Sequence, residues 1–399
     1  AEFAPHSVRG AADPLQIPFD MLNSSDLFVS RPLAFRGSSM MDTEEHMLGW
    51  NIPPEYASLV HPHWKQFPAV DMSSHFMLAA IYSMLMITSL LGNFIVIYLF
   101  FTSKSLRTPS NVFVVNLAVF DLTMMLDMPM LVANSFYQRP IGWHFGCDMY
   151  GLFGSIAGIG SAINNAIIAY DRYRTIAFPL DGRLSFKQVM LLVLFAWGYS
   201  LPFSIMPLNQ MWGKYVPEGF LTTCSFDYLT QDESTRVFVG AIFIYSYCIP
   251  MFLIILFYSQ LIGHVRQHEK MLKEQAKKMN VKSLVSNQDA AQKSVEIRIA
   301  KVALTIFFLF VCSWTPYAMI ALIGTFGDRS VLTPTVGMIP AVAAKIVSCI
   351  DPWVYAINHP RFRAELAKKF PFLGGGDEPV SDTVSVATEK THASENPNA

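Results

Sequence analysis

Residues 72–103 read MSSHFMLAAIYSMLMITSLLGNFIVIYLFFTS, 32 residues without Asp, Glu, Lys or Arg. A helix of about 20 mostly apolar residues crosses the hydrocarbon core of a bilayer. This stretch is too long and too evenly apolar for one face of a soluble helix, so it reads as a membrane span. Outward from it, uncharged runs recur at Met149–Tyr170, Gln188–Gly213, Val237–Val265 and Val302–Gly327. Two further runs enclose charges. Pro109–Gln138 holds Asp121 and Asp127, and Val331–Pro360 holds Lys345 and Asp351. The expected fold is therefore all-α, a bundle of seven transmembrane helices. With 52% hydrophobic and only 15% charged residues in 399, a soluble enzyme, a disordered chain and a collagen-like chain are excluded. A net charge of −1 gives no basic field for nucleic acid. The five cysteines form no C-x-x-C pair, so neither zinc nor a thioredoxin-type centre is expected.

Orientation follows from the basic residues. With the N-terminus outside, cytoplasmic segments hold 20 of the 29 Lys and Arg and external segments 8, with Lys345 inside a span. That is the positive-inside bias. Four segments result: an extracellular 1–71, a membrane domain 72–358, an amphipathic helix 359–370 and a disordered cytoplasmic tail 371–399. The first carries a glycosylation sequon at Asn23, beside the alternative of a chance match. No cleavable signal peptide is visible, so the first span is expected to direct insertion; the start at Ala1 is expected to be trimmed. Gln260–Asn287 is rich in Gln and Lys, which extends the fifth helix into the cytoplasm. Phe362, Leu366 and Phe370 recur at i, i+4 and i+8 with Arg363, Lys368 and Lys369 beside them, a pattern that suits a helix lying on a membrane surface and its lipid headgroups.

An ionisable residue at mid-membrane is costly and points to function. Lys345 has eleven uncharged residues before it back to Pro334 and five after it. One reading is a structural pairing with a carboxylate. The other is a desolvated amine poised to form a Schiff base with an aldehyde.

In chain order stand Gly92-Asn93, Asn116-Leu117-Ala118-Val119-Phe120-Asp121, Cys147, Asp171-Arg172-Tyr173, Trp197, Pro250 with Tyr258, Ser313-Trp314-Thr315-Pro316 and Asp351-Pro352-Trp353-Val354-Tyr355. On seven spans this series resembles the rhodopsin-like G protein-coupled receptors, over about residues 76–370. Lys345, ten residues before Tyr355, and Tyr215-Val216-Pro217-Glu218-Gly219 with Thr223-Cys224-Ser225 resemble invertebrate visual opsins more narrowly. His359-Pro360-Arg361 is similar to their His-Pro-Lys tract, with Arg for Lys. Asp351 stands where the family usually has Asn, and Ser313 where it often has Cys.

The resemblance implies retinal bound at Lys345 as a protonated Schiff base, 11-cis in the dark, with 3-hydroxyretinal as a variant. It implies a Cys147–Cys224 disulfide, leaving Cys248, Cys312 and Cys349 as packing residues. A cation in an apolar pocket needs an anion. Tyr150 stands where vertebrate visual opsins carry a glutamate, so Glu218 is the expected counterion, with Asp127 second. Expected pocket walls are Tyr150, Gly158, Thr223, Phe243, Ser246, Tyr247, Trp314, Tyr317 and Ala318, with Gly158 leaving room for a polyene. Asp171 and Glu296 are expected to hold Arg172 at rest, Tyr258 and Tyr355 to replace them, and Asp121 with Asn93 to resemble the family's buried water and ion site. Asp171, Arg172, Tyr173, Glu296, Tyr258, Asp351, Pro352, Tyr355, Asp121 and Asn93 thus make up the expected switch.

The implied function is a light-activated receptor, not an enzyme, in a photoreceptor-cell membrane. It activates a Gq-type heterotrimeric G protein, with arrestin and a receptor kinase as further partners, and its photoproduct is bistable. Alternatives are a retinal photoisomerase sharing Lys345, or a receptor for a diffusible ligand that needs no Lys345. A transporter or channel wants a continuous polar path, and only scattered polar residues are present.

Overall fold

The computed structural model describes residues 46–178, 181–278 and 287–371. Asn23, the tail beyond 371 and the side chains of Glu296 and Tyr355 lie outside the described residues. Among the described residues, seven helices are long and apolar enough to cross a membrane: Met72–Thr102, Pro109–Tyr137, Trp143–Ala177, Phe186–Leu208, Glu233–Gln267, Ile297–Phe326 and Pro334–Val354. They coincide with the seven apolar runs. The largest differences are at polar ends, where helices continue past the hydrocarbon core: the third runs on through Asp171 and Arg172, and the fifth reaches Lys278.

Local chemistry fixes the helix starts. The Asp71 carboxylate accepts from the Ser74 backbone N–H, Ser185 and Gln188 form a reciprocal capping box, and Asp232 accepts from the Thr235 N–H. Two spans are irregular. The second changes from α-helix (Pro109–Met124) through a 3₁₀ turn (Met125–Asp127) to α-helix (Met128–Tyr137). Pro129 has no N–H for the carbonyl four residues back, which loosens the helix there. The fifth contains a π turn at Ile244–Cys248, where Pro250 leaves the Ser246 carbonyl without its usual donor.

Between the fourth and fifth spans the chain departs from all-helical structure. Strands β1 (Tyr215–Glu218) and β2 (Thr223–Phe226) pair antiparallel, with Tyr215 opposite Phe226 and Glu218 opposite Thr223. The Cys147–Cys224 disulfide ties β2 to the outer end of the third span. Four residues per strand are too few for apolar alternation to register in the sequence.

The bundle is braced at mid-depth. Trp197 Nε1 donates to Asn116 Oδ1 at 3.0 Å, and Asn116 Nδ2 donates to Asn164 Oδ1 at 2.9 Å, joining spans four, two and three. Phe120 stacks on Trp197 with ring centroids 4.5 Å apart. Exposed Leu91, Phe94, Leu194, Phe252 and Phe308 give the outer surface an apolar belt suited to lipid. The helix Pro360–Lys369 follows the seventh span. Its Phe362 and Leu366 are buried against Val96, Leu99 and Leu106, so the apolar stripe packs on protein as it lies along the bundle's end.

Candidate functional site

The seventh span buries Met338, Ala341, Ala344, Lys345 and Ser348, a stripe at helical spacing that turns Lys345 into the bundle. Lys345 is 3% exposed. Its Nζ lies 3.1 Å from Asp127 Oδ2 and 4.8 Å from the centroid of the Tyr150 ring. Asp127 is fully buried, held there by the turn before Pro129. Its other oxygen, Oδ1, has no hydrogen-bond partner among the described residues and keeps a lone pair for a cation at this place. A buried ion pair must be close and well supported to offset desolvation. This one combines a carboxylate and an aromatic face.

The amine opens on a mainly apolar cavity. Tyr150 and Gly158 from the third span line it, with Phe243, Ser246 and Tyr247 from the fifth and Trp314, Tyr317 and Ala318 from the sixth. Cys224, Ser225 and Phe226 of β2 roof it. All the expected walls are therefore brought together except Thr223, which is buried behind the roof; its Oγ1 donates to the Glu218 carbonyl at 3.4 Å. Gly158 faces both the cavity and the Trp314 ring, from which a Cβ there would stand 2.6 Å. Close packing has put the indole where the missing side chain left space. Gly151, Gly154 and Ser155 also line the cavity beyond the expected walls, together with Tyr215 of the opsin-like loop. The signal was present as glycines at 151, 154 and 158, which share one helical face. The Tyr215 ring occupies the place of a Cβ at Gly151.

Glu218 ends β1, is 2% exposed and is not among the residues lining the cavity. Its Oε2 accepts from Tyr228 Oη at 2.8 Å and its Oε1 from Tyr317 Oη at 3.0 Å. Tyr317 also contacts Ser225 Oγ. Burial pushes the Glu218 carboxyl up to about 7, against the lowering effect of the two tyrosine donors and of Lys345. Gly219 follows at φ +60°, and a Cβ there would meet Met338 at 2.6 Å, so the turn seats Glu218 against the seventh span. Of the two expected carboxylates, Asp127 makes the direct contact with the amine, and Glu218 stands in a tyrosine cage.

Toward the cytoplasm, Arg172 pairs with Asp171, both buried, and Ser110 Oγ donates to Asp171 Oδ1 at 3.0 Å. Tyr258 donates to the Ala300 carbonyl at 3.4 Å, linking spans five and six. Tyr173 packs beside Phe257 and His264. Asp121 and Asp351 are both buried, and Asn93 Nδ2 donates to the Ser89 and Ser348 carbonyls. Gly92 has no room for a Cβ, which would lie 2.6 Å from Pro352 Cγ, so the first and seventh spans pack closely at this point.

Residues 92–355 match the family described as 7 transmembrane receptor (rhodopsin family). Opsin-3 of Manduca sexta is 61% identical, covering 92% of this chain and 96% of that protein. The blue-sensitive opsin of Apis mellifera is 58% identical over 94% of this chain and 100% of its own. This chain is a rhodopsin-family receptor of the invertebrate opsin group. The crystal structure of squid rhodopsin is similar in fold, with a TM-score of 0.74 and 34% identity, covering 78% of this chain and 90% of that one. Opsins are receptors, so this family assignment also decides against an enzyme. It agrees with an integral, multi-pass protein.

Proposed function

We propose that this opsin is a light-activated receptor carrying retinal as a protonated Schiff base on Lys345, 11-cis in the dark. The observation that carries the reading is a buried amine, next to a carboxylate with an unused lone pair, at an apolar and aromatic cavity. Those features fit a long apolar aldehyde. When bound, the group supplies light absorption and a change of shape.

The protein's own residues supply the rest. Asp127 holds positive charge at the Lys345 nitrogen, and Glu218 acts from a distance as a second anion, steadied by Tyr228 and Tyr317. The disulfide-anchored β-hairpin shields the site from outside water. Trp314, next to Gly158 and two residues before Pro316, senses the cavity's contents and passes strain along the sixth span. Release of Arg172 from Asp171 and Glu296 then frees the cytoplasmic end, a two-state element of the kind switching needs. Tyr258 and Tyr355 receive it. A Gq-type G protein is the partner, followed by a receptor kinase and arrestin. The N-terminus, glycosylated at Asn23, faces outward from the photoreceptor membrane, and 1–71, 72–358, 359–370 and 371–399 remain the working divisions.

Incubating the purified full chain with 11-cis retinal in the dark, then measuring its spectrum and its light-dependent nucleotide exchange on Gq, tests this reading. A visible band with exchange only after illumination supports it. Binding without a visible band would favour the diffusible-ligand receptor. Photoisomerisation without exchange would favour the photoisomerase.

A further inference from the structure

The outer turn of the sixth span grips the residue that grips Glu218. A Cβ on buried Gly324 would stand 2.6 Å from Tyr228 Cδ2 and 2.9 Å from the Tyr228 carbonyl oxygen, so the glycine lets the turn lie flat on Tyr228. Thr325, 1% exposed, donates from Oγ1 to that carbonyl at 2.9 Å. Arg329 Nη1 donates to the next carbonyl, of Leu229, at 2.9 Å. The loop that carries Tyr228 is itself closed by Asp227, whose Oδ1 accepts from the Leu229 and Thr230 N–H groups. Tyr228 is thereby fixed from two directions while its hydroxyl reaches Glu218 at 2.8 Å. Tyr317, seven residues before Gly324 and on the same helical face, supplies the second hydroxyl at 3.0 Å. Both donors to the Glu218 carboxylate are thus governed by one helix.

We propose that Gly324 and Thr325 are positioning residues for Glu218, so that movement of the sixth span alters both of its hydrogen bonds together. The inference rests on the remote-anion role proposed for Glu218, yet it is readable in the retinal-free protein. The other titratable groups sensing that carboxylate are Lys345 from the seventh span, Tyr82 from the first and Tyr150 from the third. Asp127 from the second span pairs with that lysine and is felt by the same two tyrosines. None of these touches Gly324 or Thr325, so a change made there reaches Glu218 through Tyr228.

The test is an infrared pH titration of the Glu218 carboxyl band in the full-length retinal-free protein, the band being assigned by its loss in Glu218→Gln. Hydrogen-bond donors favour the carboxylate, so displacing one raises the midpoint. Gly324→Ala and Thr325→Val should each raise it by about one pH unit, the size expected for one charge-assisted hydrogen bond. Tyr228→Phe should do the same, and Thr325→Ser should restore the parent value. Should Gly324→Ala fail to fold, the Thr325→Val and Thr325→Ser pair decides. An unmoved midpoint in Thr325→Val, with or without a shift in Tyr228→Phe, overturns the proposal. Expected midpoints in a protein that forms no pigment would instead overturn the light-receptor reading and leave the positioning role standing.

Discussion

A buried ammonium must be paired to persist in an apolar bundle, and Lys345 has Asp127 at 3.1 Å. Removing one partner strands the other's charge, which costs roughly 3–5 kcal/mol. Asp127→Asn should therefore lower the melting temperature of the retinal-free protein markedly. Lys345→Ala should lower it too, since it strands the buried Asp127 carboxylate, and the double variant should recover most of either single loss. Losses that simply add in the double variant would argue that the two groups do not interact. Glu218 makes a different prediction. Its folded value of about 7 lies above the ordinary 4.5, so the native state holds an extra proton between those values. Its contribution to stability is present below that window and lost as pH rises through about 7. Melting curves of the retinal-free protein should show stability falling over that window, and Glu218→Gln should flatten the slope.

At the scale of elements, the proposed cytoplasmic lock lies at the end of the third span. Asp171 is buried with Arg172 and takes a second bond from Ser110. Asp171→Asn removes the charge that holds the guanidinium, a change on the order of 1 kcal/mol or more, or about fivefold in the active population. Dark nucleotide exchange on the G protein should rise accordingly, and unchanged exchange would exclude Asp171 from the lock. The spans themselves were legible because length and absence of charge mark a helix in lipid. Their breaks were not. Pro129 and Pro250 signalled irregularity, but whether a helix tightens into a 3₁₀ turn or widens into a π turn depends on the neighbouring spans. The short hairpin was expressed in the sequence only as a loop likeness. Lys345 stood out at once, since a charge in an apolar run needs no partner to be noticed. The geometry linking it to Asp127 depends on the turn at Met125–Asp127, which no spacing rule supplies. Gly158 shows the same limit: a glycine announces space but not which ring takes it.

For the whole molecule, on the proposed reading, the two-anion arrangement sets the fate of the photoproduct. Asp127 touches the nitrogen, whereas Glu218 is tied to tyrosines on the β2–fifth-span connection and the sixth span. A remote anion depends less on one isomer's geometry, so on that reading it would keep the cation stabilised after isomerisation, and a roofed cavity would slow hydrolysis. No lysine lies between Lys104 and Lys187 to oppose that cation from the second span. The dark pigment should absorb visible light, and its photoproduct should persist in the dark and return with a second wavelength. In Glu218→Gln the photoproduct should bleach instead. All of this depends on a covalent bond at one residue. The most direct measurement is borohydride reduction of the pigment after dark incubation with 11-cis retinal, followed by mass spectrometry of its peptides. A retinyl adduct on Lys345, absent in Lys345→Ala, is the predicted result; an adduct on another lysine, or a visible pigment that survives in Lys345→Ala, would contradict the account.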